Sequence, residues 1–179
     1  MKAELLKAEE LVGKQLGPYI LEEIVGEGAF LTVFKGRHPD LPRPVAVKVL
    51  KDPYELGRLI REGNILAKVG DHPGIVAVHD ANLNAENPYI VVEWCDGSLK
   101  ERLENGKLEW QTAATYANQI ADALGYIHGN GIIHGDIKPS NILIHNGRAK
   151  LSDFNTKKLD PKALMHSLML SQHRDLLEN

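Results

Sequence analysis

The hydrophobic pattern of this chain changes character once, near Gly97, and that change constrains the fold more than any other feature. Before it, the segments YILEEIVG, FLTVFKGR, PVAVKVLK, IVAVHDAN and YIVVEWC read as five strands. A helical stretch, residues 54–69, follows the third, and HPDLPRP makes a proline-rich turn between the second and third. After it, SLKERLEN predicts a short helix and WQTAATYANQIADALGYIH a long one, with Ala114, Ala117, Ile120, Ala121, Leu124 and Ile127 on one stripe. Gly129 and Gly131 end the long helix, and NILIH and RAKLSDF, joined by Asn146-Gly147, predict a hairpin. At the ends, residues 2–12 predict a short helix broken by Gly13, Gly17 and Pro18, and the tail from Pro161 has helical spacing (Ala163, Leu164, Leu168, Leu176, Leu177). The fold class predicted is α+β.

A chain of 179 residues fits one domain or two small lobes and is long enough to bury a core. Its net charge of -3 offers no basic field for nucleic acid or an anionic membrane. No apolar run approaches membrane-spanning length, and the charged N-terminus lacks an apolar signal core. The sole cysteine, Cys95, excludes an internal disulfide framework. These features predict a cytoplasmic protein that binds neither nucleic acid nor membrane.

Polar residues interrupt this pattern in four places. In GEGAFLTVF, Gly26 and Gly28 suit either a hairpin turn or the close approach of backbone to phosphate. In PVAVKVL, alternation puts Ala46, Lys48 and Leu50 on one face and Val45, Val47 and Val49 on the other. Lys48 then needs an anion or a route to water. Leu59, Glu62, Leu66 and Val69 share one helix face, so Glu62 is either that anion or a solvated glutamate. Finally, IIHGDIKPSNILI sets His134, Asp136, Lys138 and Asn141 between two apolar runs, with Asp153 at the end of the hairpin. Carboxylates and an amide converging at strand ends suit magnesium, which takes oxygen ligands and shares them with phosphates. A polar turn with a capping role poorly explains all four of Asp136, Lys138, Asn141 and Asp153.

In this order and spacing, across residues 18–156, the motifs resemble those of eukaryotic-type (Hanks-type) Ser/Thr protein kinases, including their bacterial members. GEGAF resembles the glycine-rich loop, VAVK the strand-three lysine motif, and REGNIL the segment with the paired helix glutamate. HPGIV resembles the segment after that helix, HGDIKPSN the catalytic loop and DFN the magnesium motif. The resemblance implies a bilobal fold: a helical extension over residues 1–17, an N-lobe over 18–94 with a five-stranded antiparallel sheet and one helix, and a mainly helical C-lobe over 95–179, truncated after the DFG-like motif.

The resemblance also implies roles, with ATP and Mg2+ as cofactors. The backbone around Gly26 and Gly28 would cover the phosphates, and Lys48, held by Glu62, would contact them. Asp136 would orient the hydroxyl nucleophile and accept its proton, and Lys138 would steady the transferring phosphate. Asn141 and Asp153 would hold magnesium. The backbone from Glu93 to Cys95 would bond adenine, Val33, Ala46 and Leu143 would sandwich its ring, and Val92 would gate the back of the pocket. Leu66, Val78, His134 and Phe154 would stack as a spine between the lobes.

The sequence departs from the family pattern at Leu31, in place of a third loop glycine, at Gly135, where many members have arginine, and at Asn155, in place of the glycine of DFG. Residues 156–179 contain no Ala-Pro-Glu motif, and His173-Arg174-Asp175 lacks the following lysine and asparagine. Three functions fit: a compact protein kinase acting on Ser/Thr hydroxyls, a non-catalytic kinase-like nucleotide-binding or scaffold module, and a small-molecule phosphotransferase of the aminoglycoside type. The partners predicted are a protein substrate, a completing protein chain or a second copy.

Overall fold

The computed structural model describes residues 6–154. Nine strands and four helices follow in the order α1 (Ala8–Leu11), β1 (Gln15–Leu16), β2 (Tyr19–Glu27), β3 (Leu31–His38), β4 (Leu41–Leu50), α2 (Leu56–Val69), β5 (Val78–Asn82), β6 (Tyr89–Glu93), β7 (Gly97–Ser98), α3 (Leu99–Glu104), α4 (Trp110–Gly129), β8 (Ile142–His145) and β9 (Arg148–Leu151). The upper sheet is antiparallel in the order β1-β2-β3-β4-β6-β5, and the lower one has the order β7-β8-β9.

The upper sheet therefore has six strands, one more than the sequence predicts. The addition is Gln15–Leu16, inside the stretch read as a helical extension; Gly17, at φ 57, turns it back onto Tyr19 and Ile20. The helix predicted over residues 2–12 is, among the described residues, the single turn α1. Leu11 seals the outer face of the sheet there, over Leu21, Phe34, Val47, Tyr89 and Val91.

Alternation along β4 sorts its side chains between two cores, as predicted. Val45, Val47 and Val49 join that outer cluster, while Leu50 and Ala46 face a second cluster beneath the sheet. The second cluster is continuous across the lobes: Leu59, Leu66, Val69, Ile90 and Val92 meet Ile120, Ala123, Ile127, Ile144, Leu151 and Phe154. Removing one such side chain, as in Leu66→Ala, typically costs about 2–5 kcal/mol.

Several boundaries differ from the sequence reading for identifiable reasons. The HPDLPRP turn shrinks, because β4 already begins at Leu41. Leu41 and Pro44 pair with β3 alone, across a register shift that leaves residues 42 and 43 without partners on β3; β6 joins only from Val45, and a proline costs no ladder bond on an open edge. Asp52 accepts from Tyr54 N at 2.9 Å and starts a 3-10 turn before α2. Ile75 and Val76 leave the predicted fourth strand and dock on the lower hairpin, with Val76 N donating to Leu151 O at 3.0 Å. Ser98 and Glu101 cap α3 reciprocally.

The long helix keeps its predicted span, and Ile120, Leu124 and Ile127 of the predicted stripe face the core, but the buried face is rotated away from the three alanines. Tyr116, Ile120, Ala123 and Ile127 are buried, whereas Ala114, Ala117 and Ala121 are exposed. Tyr116 and Ala123 join Ile120 and Ile127 in the core, and the three exposed alanines lie beside it. Asn146 (φ 49) and Gly147 (φ 74) form the predicted hairpin turn. Asn155 and the predicted tail helix lie outside the described residues.

Candidate active site

Strand β4 delivers Lys48 to the floor of the cleft between the lobes, and α2 delivers Glu62 opposite it. Lys48 Nζ donates to Glu62 Oε1 at 2.6 Å, and the two side chains are only 8% and 10% exposed. Lys48 also pairs with Asp153, which follows β9 and whose side chain is 50% exposed. Burial opposes the charge on Lys48, but the Asp153 and Glu62 carboxylates outweigh it, and the lysine pKa is raised. The Lys48 charge in turn lowers the Asp153 pKa, outweighing the partial desolvation of its carboxyl in the cleft. Asp153 has φ 56, left-handed backbone that a short polar residue tolerates better than most.

The turn between α4 and β8 brings the other polar residues together. Lys138 Nζ donates to Asp136 Oδ2 at 2.7 Å, and Asn141 Nδ2 donates to the same oxygen at 2.9 Å and to Asp136 O at 2.8 Å. The Lys138 hydrogen bond holds the Asp136 pKa below its ordinary value. With its nitrogen committed to Asp136, Asn141 keeps its amide oxygen as an acceptor. His134 is buried beneath the loop, its Nε2 bonded to Ser152 O at 2.8 Å and its ring tilted on Phe154 at 4.6 Å. Leu66 and Phe154 share the inter-lobe core and Val78 packs against it, so the predicted spine residues come together.

Two cavities meet along this cleft. One, of about 530 Å³, holds the charged groups: Lys48, Glu62, Asp136, Lys138, Asn141 and Asp153 line it, together with Gly26, Gly28, Val33 and apolar side chains such as Leu50, Leu59 and Phe154. The other, of about 580 Å³, is lined by Val33, Ala46, Val76, Val92, Glu93, Cys95 and Leu143. Gly26, Val33, Lys48 and Asp153 line both, so they are the two ends of one space, with apolar walls at one end and a charged floor at the other. Every predicted site residue lines one or both.

Gly26 and Gly28 have no positive φ, and a Cβ on either would meet protein atoms at ordinary contact distance, 3.7 Å at Val33 and 3.5 Å at Leu31 O. Folding of the loop by itself does not demand glycine there, and both positions border the cleft. Burial pushes the Cys95 thiol up to about 12, which keeps it protonated.

Two relationships escaped the sequence reading. Glu93 was read for its backbone, but its side chain turns inward, accepting from Ala77 N at 2.7 Å and pairing with Lys150 Nζ. Lys150, 12% exposed in its side chain, also donates to Ile75 O at 3.3 Å. The signal available was slight: a lysine between the apolar Ala149 and Leu151. The second is Arg58, whose guanidinium lies 4.1 Å from the centre of the Phe30 ring across the mouth of the cleft.

A curled antiparallel sheet with one helix, joined to a helical lower lobe across a cleft with this charged floor, defines the bilobal kinase class. Residues 19–172 match the family model of the protein kinase domain, and the chain belongs to that family. It is 38% identical over 152 residues to the serine/threonine-protein kinase PrkC of Bacillus subtilis, covering 80% of this chain and 24% of that one. It is 35% identical over 166 residues to CBL-interacting protein kinase 12 of Oryza sativa subsp. japonica, covering 87% and 31%. A probable serine/threonine-protein kinase of Clostridium perfringens is 37% identical over 175 residues, covering 91% and 25%. The chain thus spans about a quarter to a third of the length of these relatives. Among the described residues no helix is long and apolar enough to cross a membrane.

Proposed function

We propose that the chain carries out ATP- and magnesium-dependent phosphoryl transfer to a Ser or Thr hydroxyl of a protein, in the cytoplasm. The observation that carries this reading is the convergence of Lys48, Glu62 and Asp153 on the floor of a cleft whose rim holds Asp136, Lys138 and Asn141. A structural ion pair alone would not gather a second cluster around the same cavity.

The apolar end, with Val33, Ala46 and Leu143 on its walls, suits the adenine ring, and the Glu93–Cys95 backbone borders it. The polar end suits a triphosphate, with Lys48 as its fixed cation. Asn141 and Asp153 offer two oxygen ligands, few enough to suit an ion that takes its remaining ligands from phosphate and water. Bound there, magnesium would supply charge neutralisation on the phosphates.

The chain's own residues supply the rest. Both hydrogen bonds to the Asp136 side chain close on Oδ2, which leaves Oδ1 to receive a substrate hydroxyl. Its lowered pKa keeps Asp136 ionised at neutral pH, so it would orient the hydroxyl and take its proton as the oxygen bonds to the γ-phosphorus of ATP and the bond to the bridging oxygen breaks, with ADP leaving. Lys138, tethered at 2.7 Å, stands where negative charge accumulates during transfer.

A second reading, a kinase-like module completed by a partner protein or a second copy, is favoured by one observation. Ile133 and Ile137, on either side of Asp136, are 41% and 47% exposed, and Trp110 is 73% exposed.

Titration calorimetry with ATP, with and without magnesium, on this chain and on Asp153→Asn tests the proposal. Magnesium-dependent binding that the variant loses supports it. A folded chain that binds no ATP would overturn it and leave the scaffold reading.

A further inference from the structure

Phe30 is at the tip of the loop between β2 and β3, and three contacts hold that tip in place. Gly28 N donates to Leu31 O at 2.8 Å and closes the turn. Lys51 N donates to Phe30 O at 2.8 Å and ties the turn to the end of β4. The third contact is the Arg58 guanidinium, 4.1 Å from the ring centre. Leu31, standing where a third glycine is expected, packs against the inter-lobe core. The loop is thus anchored at its far end by an apolar side chain and at its tip by a cation.

Arg58 sits one helical turn before Glu62 on α2, so both project from the same side of the helix. Glu62 fixes Lys48 from that side. One rigid element therefore holds both the cationic floor of the polar cavity and the loop that roofs it, and Phe30 and Arg58 both line that cavity. Arg58 also pairs with Glu55 at 3.6 Å, a contact within the helix region that steadies its direction. Its side chain is 38% exposed, so folding does not depend on burying it.

We propose that Arg58 is a positioning residue that clamps the loop tip over the phosphate end of the cleft through its stack on Phe30, and so couples the pose of α2 to the grip on a nucleotide polyphosphate. The polyphosphate part rests on the function proposed above; the clamp itself does not. With the tip held, the Gly26–Gly28 backbone is set over the cavity before a ligand arrives, and less ordering accompanies binding.

Amide hydrogen exchange on the ligand-free chain tests the clamp without reference to activity. The reporters are the Gly28 and Lys51 amides, both protected by bonds to the loop. Arg58→Ala and Phe30→Ala should each speed their exchange about fivefold, the scale of a partly exposed cation–π contact, and the double variant should add little more. Glu104→Gln, which breaks an exposed ion pair on α3 away from the loop, should leave both rates unchanged. Exchange at wild-type rates in Arg58→Ala, or an equal rise in Glu104→Gln, would overturn the clamp. Calorimetry then separates the two ideas: Arg58→Ala should weaken ATP several-fold while adenosine binds as before. Equal weakening of both ligands would overturn the phosphate-end assignment. A wild-type chain that binds neither would overturn the proposed function while the exchange result still decides the clamp.

Discussion

Lys48 and Glu62 lie 2.6 Å apart in side chains that are almost fully buried, and Asp153 reaches the same ammonium from the other lobe. Three charges thus share one site, and they differ in what each loss leaves behind. Glu62→Gln keeps the side-chain shape and an acceptor for Lys48 while removing the charge, and Asp153 remains to compensate the lysine. Stability should fall by about 1–2 kcal/mol, less than the ~3–5 kcal/mol of an orphaned buried ion. Turnover should fall at least about tenfold, because Lys48 is then free to follow Asp153. Urea denaturation beside a phosphoryl-transfer assay checks both; unchanged turnover in an active preparation rejects the role of Glu62.

The Lys150–Glu93 pair sits under the connection between the lobes and should behave differently. Lys150→Met leaves the Glu93 carboxylate buried with only the Ala77 N–H to satisfy it, a loss of about 3 kcal/mol. Neutralising both, as Lys150→Met with Glu93→Gln, removes the uncompensated charge. The double variant should therefore lose less than the sum of the singles, and a double-mutant cycle in urea reads the difference. Additive losses would mean that the two side chains act separately.

The sequence carried the fold well wherever one residue decides a local geometry. Asn146-Gly147 specified its hairpin, and the three-four-three spacing of Leu59, Glu62, Leu66 and Val69 gave the buried face of α2 without error. It was least informative where packing chooses between faces. Ala114, Ala117 and Ala121 share a helical stripe with Ile120, Leu124 and Ile127, yet they stay exposed while Tyr116 is buried, because burying an alanine gains too little to decide a helix's rotation against a tyrosine. Lys48–Glu62 was legible because both residues break apolar patterns. Lys150–Glu93 and Arg58–Phe30 were not, since each pairs a residue of ordinary local pattern with one distant in sequence, and only the folded register joins them.

Gly135 occupies the position where the family pattern expects arginine, and its φ of 83 gives the glycine a second reason. That conformation costs a side-chain-bearing residue about 1–2 kcal/mol. Gly135→Ala should lose about that much stability, and Gly135→Arg no less unless its guanidinium finds a new partner. Thermal unfolding of both variants measures it. A variant as stable as the parent would show that the loop relaxes freely, which the hydrogen bonds of Asp136 to Lys138 and Asn141 oppose.

His134 links the turn that carries Asp136 to the segment after β9 that carries Asp153, and its two ring nitrogens have opposite duties. Ser152 O can only accept, so Nε2 carries the proton at 2.8 Å. Asp136 N can only donate, so Nδ1 accepts at 3.4 Å. The neutral ring satisfies both; the imidazolium would set a second N–H against a backbone N–H. Burial lowers the His134 pKa from its ordinary value of 6.5, more than the nearby bond and carboxylates raise it. The sign follows from proton uptake: below pH 6.5 the unfolded chain takes a proton that the folded chain refuses, so stability falls as the pH drops from there until the folded pKa is passed. His134→Phe, which keeps the ring against Phe154 but forfeits both bonds, should lose about 1–2 kcal/mol at pH 7.5 and show less of that decline. Urea midpoints between pH 7.5 and 5 for the two proteins provide the comparison; parallel curves would assign the acid sensitivity to other groups.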